Sequence, residues 1–260
     1  MRPGTKEKTT SGFINGRKGK KMKNISRKLI ALGLTGALAV VSFTACSKTK
    51  ETTAATTADT VVESVSGDKK VGGWSIPQDT KITDEQLKIF NKAIEGLTGV
   101  GYEPVAYLGS QVVAGTNHCY LCKSTVVYPG ATNRYTLVYI YEKLDGTEEI
   151  LNFTDVTLPG TADADGNPIA GGWAYAEDPA VDGKATEVVG KATEKLLDAE
   201  YEPVAYIGSQ VVAGMNHAVI CKITAVTPDS QAAYSLVYIY EDLEGNCEVT
   251  EITDIELSAG

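Results

Sequence analysis

The sequence contains few of the residues from which most catalytic and metal sites are built. It has two histidines and five cysteines, and it contains no repeated nucleophile and base pair, metal-binding cluster or phosphate loop. Its longest apolar run, residues 29–43, is shorter than the ~20 residues that a membrane-spanning helix requires. These absences make an enzyme the weakest of the candidate function classes and exclude a polytopic membrane protein.

The composition predicts a folded, acidic body behind a basic N-terminal segment. Hydrophobic residues make up 43% of the 260-residue chain, enough to bury a real core. Residues 1–45 carry a formal charge of +9, whereas the remainder carries −18. A body of that charge repels phosphate backbones, so nucleic acid is not expected as a partner.

The basic N-terminal segment has the pattern of an export signal. Seven Lys or Arg residues between positions 17 and 28 precede the apolar run, which has the length of a signal-peptide core. The run ends at Phe43–Ser47, which resembles the bacterial lipobox and predicts lipid attachment at Cys46. An uncleaved signal anchor is the alternative. Met22 makes a more ordinary start than Met1, which predicts that residues 1–21 are not translated.

Residues 46–70 are predicted to be a lipidated tether. They are rich in Thr, Ala, Ser and Val and show neither a helical nor a strand period. The expected location is therefore the outer face of a bacterial cell membrane, with the folded part extracellular.

An internal repeat dominates the sequence from residue 72 onward. A Gly-Gly-Trp triplet, the segment Tyr102–Tyr107 and the segment Leu137–Glu142 each recur 99 residues later, without insertions. This constant offset indicates the duplication of one complete domain. We predict two domains, residues 71–158 and 171–260.

The segment between the repeats, residues 159–170, is predicted to be a linker. It contains Pro-Gly, Asp-Gly and Asn-Pro pairs, which are typical of turns. Its acidic stretch Asp163–Asn167 lacks the distal glutamate of a calcium loop, so a solvated linker is the better interpretation.

Each repeat begins with a helical pattern and continues with strand patterns. Thr83 and Asp182 are candidate N-caps, and Gln86 completes a capping box in the first repeat. Apolar residues then recur at helical spacing at positions 87, 90, 93, 94 and 97. Four segments rich in Val, Tyr, Ile and Thr follow, at residues 102–113, 116–127, 135–143 and 148–158, and residues 74–76 are a candidate first strand. This order predicts an α+β fold in each repeat, one helix packed across an antiparallel sheet.

The turn at Gln111–Gly115 is apolar where a hairpin tip is normally polar. From the residues alone, it is either a buried contact or an exposed binding wedge. Followed by Thr116 and Asn117, it resembles the first inhibitory hairpin of the cystatins, in particular the disulfide-free stefins. The Gly-Gly pair before the helix and the Pro-Val pair before the hairpin extend this resemblance over most of both repeats.

The resemblance implies two cystatin-like domains and the reversible inhibition of papain-like cysteine peptidases. In that family an N-terminal trunk and two hairpins occlude the active-site cleft, and no cofactor or metal is involved. The residues that it assigns to the trunk and first hairpin are Gly72, Gly73, Gln111, Val112, Val113, Ala114 and Gly115, and in the second repeat Gly171, Gly172, Gln210, Val211, Val212, Ala213 and Gly214. The second hairpin is assigned to Leu144, Asp145, Gly146, Leu243, Glu244 and Gly245. It lacks the Pro-Trp pair of secreted cystatins, which predicts weaker binding.

Other candidate chemistry is less specific. His118 and His217 occupy equivalent positions without a neighbouring carboxylate or cysteine motif, which favours surface strand residues over metal or catalytic roles. Cys119 and Cys122 are three residues apart in a strand and therefore face opposite sides, which argues against a redox pair. We expect free thiols. The alternative function to inhibition is a surface lipoprotein that binds ligands or mediates adhesion.

Overall fold

The computed structural model of the chain describes residues 72–128, 131–162 and 169–260. The predicted signal peptide, the lipid-attachment residue Cys46, the tether and the acidic stretch Asp163–Asn167 lie outside the described residues. All described residues belong to one compact unit, Glu63–Gly260. We refer to residues 72–158 as the first half and to residues 171–260 as the second half.

Each half contains one short helix whose start is fixed by its cap. Helix α1 spans Asp84–Ile94, and Thr83 and Gln86 form the predicted capping box. Helix α2 spans Gly183–Thr193, and the Asp182 carboxylate accepts hydrogen bonds from the backbone N–H groups of Lys184 and Ala185. Residue 97, expected on the apolar face of the first helix, lies beyond its end and is exposed.

The strands form two antiparallel sheets with five strands each. The first sheet has the order β1-β2-β3-β4-β5 and the second β10-β9-β8-β7-β6, so each is a meander. The strands of the first sheet are β1 (Trp74–Ser75), β2 (Val100–Val113), β3 (Gly115–Val126), β4 (Asn133–Glu142) and β5 (Glu148–Val156). Those of the second sheet are β6 (Ala174–Tyr175), β7 (Ala199–Val212), β8 (Gly214–Ala225), β9 (Ala233–Glu241) and β10 (Cys247–Ile255). The strands predicted from the sequence are confirmed, including the short first one.

Alternate residues of the central strands face two different cores. In β3, Tyr120 and Cys122 lie in a small core with Phe90 of α1, whereas Cys119 and Leu121 lie in the largest core. The largest core contains residues of both sheets and includes Ala106, Leu108, Leu137, Ala205, Ile207, Ala218 and Ile220. The main burial of apolar surface therefore occurs between the two sheets.

The expected fold class, two cystatin-like α+β domains with one helix packed across each sheet, is wrong. The described residues are mostly β, with two five-stranded antiparallel sheets and only two helices of 11 residues each. The physical reason is that both faces of the central strands are apolar. The helix of each half covers one apolar face of its sheet, and the other sheet covers the opposite apolar face.

The contacts between the sheets are reciprocal. A side chain at Gly208 would meet Leu158 of the first half, and a side chain at Gly109 would meet Leu257 of the second half. In the same way, the Lys123 ammonium donates to the Glu177 carbonyl, and the Lys222 ammonium, 99 residues later, donates to the carbonyl of residue 78. Equivalent residues thus make equivalent contacts in both directions, as they do in a two-fold dimer interface.

Candidate functional site

The first hairpin of each half forms an exposed apolar tip. In the first half, β2 ends at Val113 and β3 begins at Gly115, so Ala114 alone makes the turn. The Val112 side chain is 57% exposed, and Val211 at the equivalent position is 69% exposed. Val113 and Val212 are exposed as well. Of the two interpretations that the sequence left open, the exposed wedge agrees with this geometry and the buried contact does not.

A glycine is required at the end of each tip. Gly115 and Gly214 have φ of 130° and 116°, a region that residues with a Cβ rarely adopt. A Cβ atom would lie 2.4 Å from the Glu142 carbonyl oxygen in the first half and 2.3 Å from that of Glu241 in the second. The tip backbone therefore lies directly against the neighbouring strand.

A glutamine clamp joins the trunk to the first hairpin. The amide nitrogen of Gln111 donates to the Gly72 carbonyl over 2.8 Å, while its amide oxygen accepts from Asn117 over 2.8 Å. Strand β1 begins just after Gly73 and pairs Trp74 with Gln111. Gln111 thus acts as a connector, and Asn117, to which the sequence assigned no role, orients it.

The second half repeats this clamp with the same partners. Gln210 donates to the Gly171 carbonyl over 2.9 Å and accepts from Asn216 over 2.8 Å. Gly172 also packs closely against the segment before it, since a Cβ atom there would lie 2.3 Å from the Gly160 carbonyl oxygen. The trunk of each half is therefore held at the side of its first hairpin.

A tyrosine fixes the turn residue itself. The hydroxyl of Tyr141 donates to the Ala114 carbonyl, and that of Tyr240 donates to the Ala213 carbonyl. The sequence placed Tyr141 only within the predicted strand at residues 135–143. One signal in the sequence could have indicated this role, because Tyr141 and Tyr240 occupy the same position relative to the first hairpin of their own half.

The second hairpin lies beside the first at the same end of each sheet. Strand β3 pairs Thr116 with Glu142, and the turn that follows Glu142 contains Leu144, Asp145 and Gly146. Leu144 is 86% exposed, and Leu243 in the second half is 81% exposed between Asp242 and Glu244. The structure thus places the trunk and both predicted hairpins of each half at one end of its sheet.

The two histidines are buried, so the prediction of surface strand residues is wrong. His118 is 7% exposed and His217 is 1% exposed. The Nδ1 atom of His118 lies 2.9 Å from the Tyr107 hydroxyl, and its Nε2 atom lies 3.3 Å from a Glu142 carboxylate oxygen. Both ring nitrogens therefore have partners on neighbouring strands, which makes burial possible.

The second half has the same network with one additional charge. His217 contacts the Tyr206 hydroxyl at 2.8 Å and Glu241 at 3.0 Å, and the Lys184 ammonium contacts the other Glu241 oxygen at 2.6 Å. Burial lowers the pKa of both histidines, which favours the neutral ring. These networks lie under the hairpin bases, and Tyr107, His118 and His217 are buried.

The described cysteines are free thiols in two kinds of environment. Cys119 lies in the core between the sheets and Cys122 in the core under α1, which confirms that they face opposite sides. Burial raises the pKa of Cys221 to about 12, so its thiolate is scarce at neutral pH. Cys247 is half-buried and lines a cavity of about 880 Å³ between α2 and the β9–β10 hairpin.

Among the described residues there is no group of three or more His, Cys, Asp or Glu side chains placed to hold a metal ion. In the same part of the chain, no helix has the length and apolar character needed to cross a bilayer.

Comparison with known proteins finds no protein-family model that matches the chain and no curated protein that matches it.

Proposed function

We propose that the protein is a reversible inhibitor of papain-like cysteine peptidases, which it blocks by occluding the active-site cleft. The observation that carries this proposal is the exposed apolar first hairpin, clamped to a Gly-Gly trunk, in both halves. We call the trunk, first hairpin and second hairpin of one half a wedge. Occlusion requires no bond making or breaking, so the proposed protein is not an enzyme.

The wedge has the properties that binding in a narrow cleft requires. Ala114 has only a methyl side chain and Gly115 has none, which allows the backbone to approach the walls of the cleft closely. Val112 and Val113 offer apolar surface. Complete burial of a fully exposed valine side chain is worth about 1.5–3 kcal/mol, and these two, which are about half exposed, can contribute about half of that each. The hydrogen bonds from Gln111 and Tyr141 hold the tip in place before binding, so less conformational entropy is lost on association.

The resemblance of Gln111–Gly115 to the cystatin inhibitory hairpin supports the choice of peptidase class, and on it we propose a relation to the stefins. The second hairpins lack the Pro-Trp pair of secreted cystatins. Leu144 and Leu243 offer one exposed apolar side chain each in its place. We therefore expect binding weaker than that of a wedge with an aromatic second hairpin.

We further propose that the protein acts at the outer face of a bacterial membrane. The support is the sequence of residues 17–47, in which a basic segment and an apolar run precede Cys46. Lipid attachment at Cys46 and a tether up to residue 70 would hold the wedges outside the cell, where exogenous peptidases are met.

Titration of the full chain against papain tests the function. With both wedges active, we expect reversible inhibition that reaches two papain molecules per chain. A ratio of one would mean that only one half is active. No inhibition at chain concentrations of about 10 μM, where a complex of micromolar Kd would form, would contradict the proposal.

Paired substitutions, one in each half, locate the inhibition in the wedges. Val112→Asp together with Val211→Asp places charges on two exposed tips, and we expect affinity to fall by at least about tenfold, which corresponds to ~1.4 kcal/mol. The matched control is Val127→Asp with Val226→Asp, because these valines are also exposed and occupy equivalent positions after β3 and β8. Gly115→Arg with Gly214→Arg should abolish inhibition, but it also displaces backbone, since a Cβ atom does not fit there.

The second candidate function is binding of a ligand without inhibition. The observation that favours it is the cavity of about 880 Å³ beside Cys247, which has the size of a small-molecule site. This function predicts that Val112→Asp and Val211→Asp leave ligand binding unchanged.

A further inference from the structure

The second hairpins of the two halves expose the same residue in different charge environments. Leu144 stands between Lys143 and Asp145, so its neighbours have no net charge. Leu243, at the equivalent position, stands between Asp242 and Glu244, so its neighbours carry two negative charges. Both leucines are more than four-fifths exposed. The two tips therefore offer similar apolar contacts with different fields around them.

The first tip carries a positive charge on Lys143, the residue before Leu144. The Lys143 ammonium lies 3.0 Å from the Glu149 carboxylate, and both side chains remain partly exposed. The Asp145 carboxylate accepts hydrogen bonds from the backbone N–H and the hydroxyl of Thr147. These contacts keep charges of both signs at this tip.

The negative charge of the second tip is built into its turn. Asp242 accepts hydrogen bonds from the backbone N–H groups of Glu244 and Asn246 and from the Asn246 amide. Hydrogen bonds to a carboxylate stabilise its ionised form, so Asp242 stays charged. Glu244 is exposed at the tip. No Lys or Arg lies within the turn at residues 242–246. The Lys191 ammonium of α2 donates to the Gly245 carbonyl over 3.3 Å, but it also pairs with the Glu187 carboxylate at 2.6 Å, which offsets its charge.

We propose that the two wedges select different peptidases, and that the wedge of the second half selects one with a basic rim around its active-site cleft. This inference rests on the proposed function. Charges at the rim of an interface act mainly on the association rate and on its salt dependence. A field from two carboxylates extends over about 10 Å at ~0.1 M salt, far enough to reach the rim of a cleft that holds Leu243.

The test uses full-length chains with one active wedge each. The Val112→Asp chain keeps only the second wedge active, and the Val211→Asp chain keeps only the first wedge active. Association rates are measured with papain and with succinylated papain, whose lysines carry carboxylates, at low and at high NaCl. At low salt, we expect succinylation of papain to reduce the association rate of the second wedge by about threefold to tenfold more than that of the first. This difference should shrink at high salt.

Reciprocal charge variants assign the effect to the hairpin. Glu244→Lys in the second wedge should remove most of the difference, and Lys143→Glu in the first wedge should create it. Glu244 is exposed and Lys143 is partly exposed, so we expect both variants to fold, and a circular dichroism spectrum like that of the parent chain checks this.

The possible outcomes separate this inference from the function. If both wedges inhibit papain with the same response to succinylation and salt, charge selection is overturned and the function stands. If the unmodified chain inhibits neither form of papain, the function and this inference are both overturned.

Discussion

The two halves of the molecule connect helix and second hairpin in different ways. In the first half, the Lys92 ammonium lies 2.9 Å from the Glu148 carboxylate, whose side chain is only 6% exposed. The equivalent positions in the second half are Lys191 and Cys247. The Lys191 ammonium instead pairs with the carboxylate of Glu187, one helical turn earlier, and donates to the Gly245 carbonyl.

The cavity of about 880 Å³ lies beside Cys247, where the first half has the carboxylate of Glu148. A thiol is smaller than the glutamate side chain and does not pair with an ammonium group at neutral pH unless its pKa falls, and burial raises the pKa of Cys247. The strands on either side keep the same lengths within one residue. The comparison shows that the sheet keeps its strands although the residue that faces the helix at this hairpin differs between the halves.

The largest effect is expected where the two halves contact each other. Leu158 is 4% exposed and packs on the second sheet, whereas its counterpart Leu257 is only half-buried against the first. We expect Leu158→Ala to lower the free energy of unfolding by about 2–5 kcal/mol and Leu257→Ala to lower it by less, because less apolar surface is lost.

Urea denaturation measures both free energies, and Leu144→Ala, at an exposed position, is the control. The same loss for Leu158→Ala and Leu257→Ala would show that the two directions of the interface are energetically equal. Separate transitions for the two halves would contradict a shared core.

A smaller effect is expected from exchanging the residues that differ between the hairpins. Glu148→Cys leaves Lys92 without its partner and removes buried contacts, and we expect a loss of about 1–3 kcal/mol. Cys247→Glu allows a new ion pair with Lys191 and should gain at most about 1 kcal/mol, since that pair is partly exposed.

Thermal unfolding of both variants checks this prediction, and Cys247→Ser controls for the loss of the thiol. A destabilised Cys247→Glu chain would mean that the second half cannot adopt the contact found in the first.

The smallest effect concerns the buried histidines. Burial lowers the pKa of both histidines, and nearby charges modify this shift. The charge of Lys184, which lies beside Glu241, lowers the pKa of His217 further. Its counterpart Glu85 offsets part of the lowering at His118. Lys184→Glu should therefore raise the pKa of His217, and Glu85→Lys should lower that of His118. Histidine NMR titration measures both, and an unchanged pKa in both variants would mean that solvent screens these charges.

The sign of the pH dependence follows from burial, which is the largest cause of both shifts. The folded state disfavours the charged ring, so the unfolded chain binds more protons below its ordinary pKa of 6.5. The contribution of the two histidines to the free energy of unfolding is fully present above pH 6.5, and it falls as the pH drops toward their pKa values in the folded state. Lys184→Glu should reduce that loss.

The local elements could be predicted because their signals are local. The Thr83 capping box, the apolar positions of the helix and the turns between strands follow from short-range patterns. The equivalence of the two exposed hairpins also followed, because the 99-residue offset places each motif twice at the same point of the pattern.

The packing of the sheets was missed because it depends on contacts between distant residues. The runs Cys119–Cys122 and Leu137–Ile140 are apolar at every position, which indicates strands covered on both faces. The histidine networks were missed for a related reason, since their partners lie 11 and 24 residues away on other strands.

The reciprocal packing of the halves has a consequence for how the chain matures. Leu257 and Ala259 join the core between the sheets, and the Ser258 N–H donates to the Tyr139 hydroxyl. Residues 257–259 thus complete a core that the first half helps to build. Limited proteolysis of a chain truncated after residue 256 should find the first half more sensitive than it is in the parent chain. The apolar sheet face of the first half is then covered fully only once residues 257–259 are in place, and a growing chain that lacks them exposes apolar surface on which aggregation can begin.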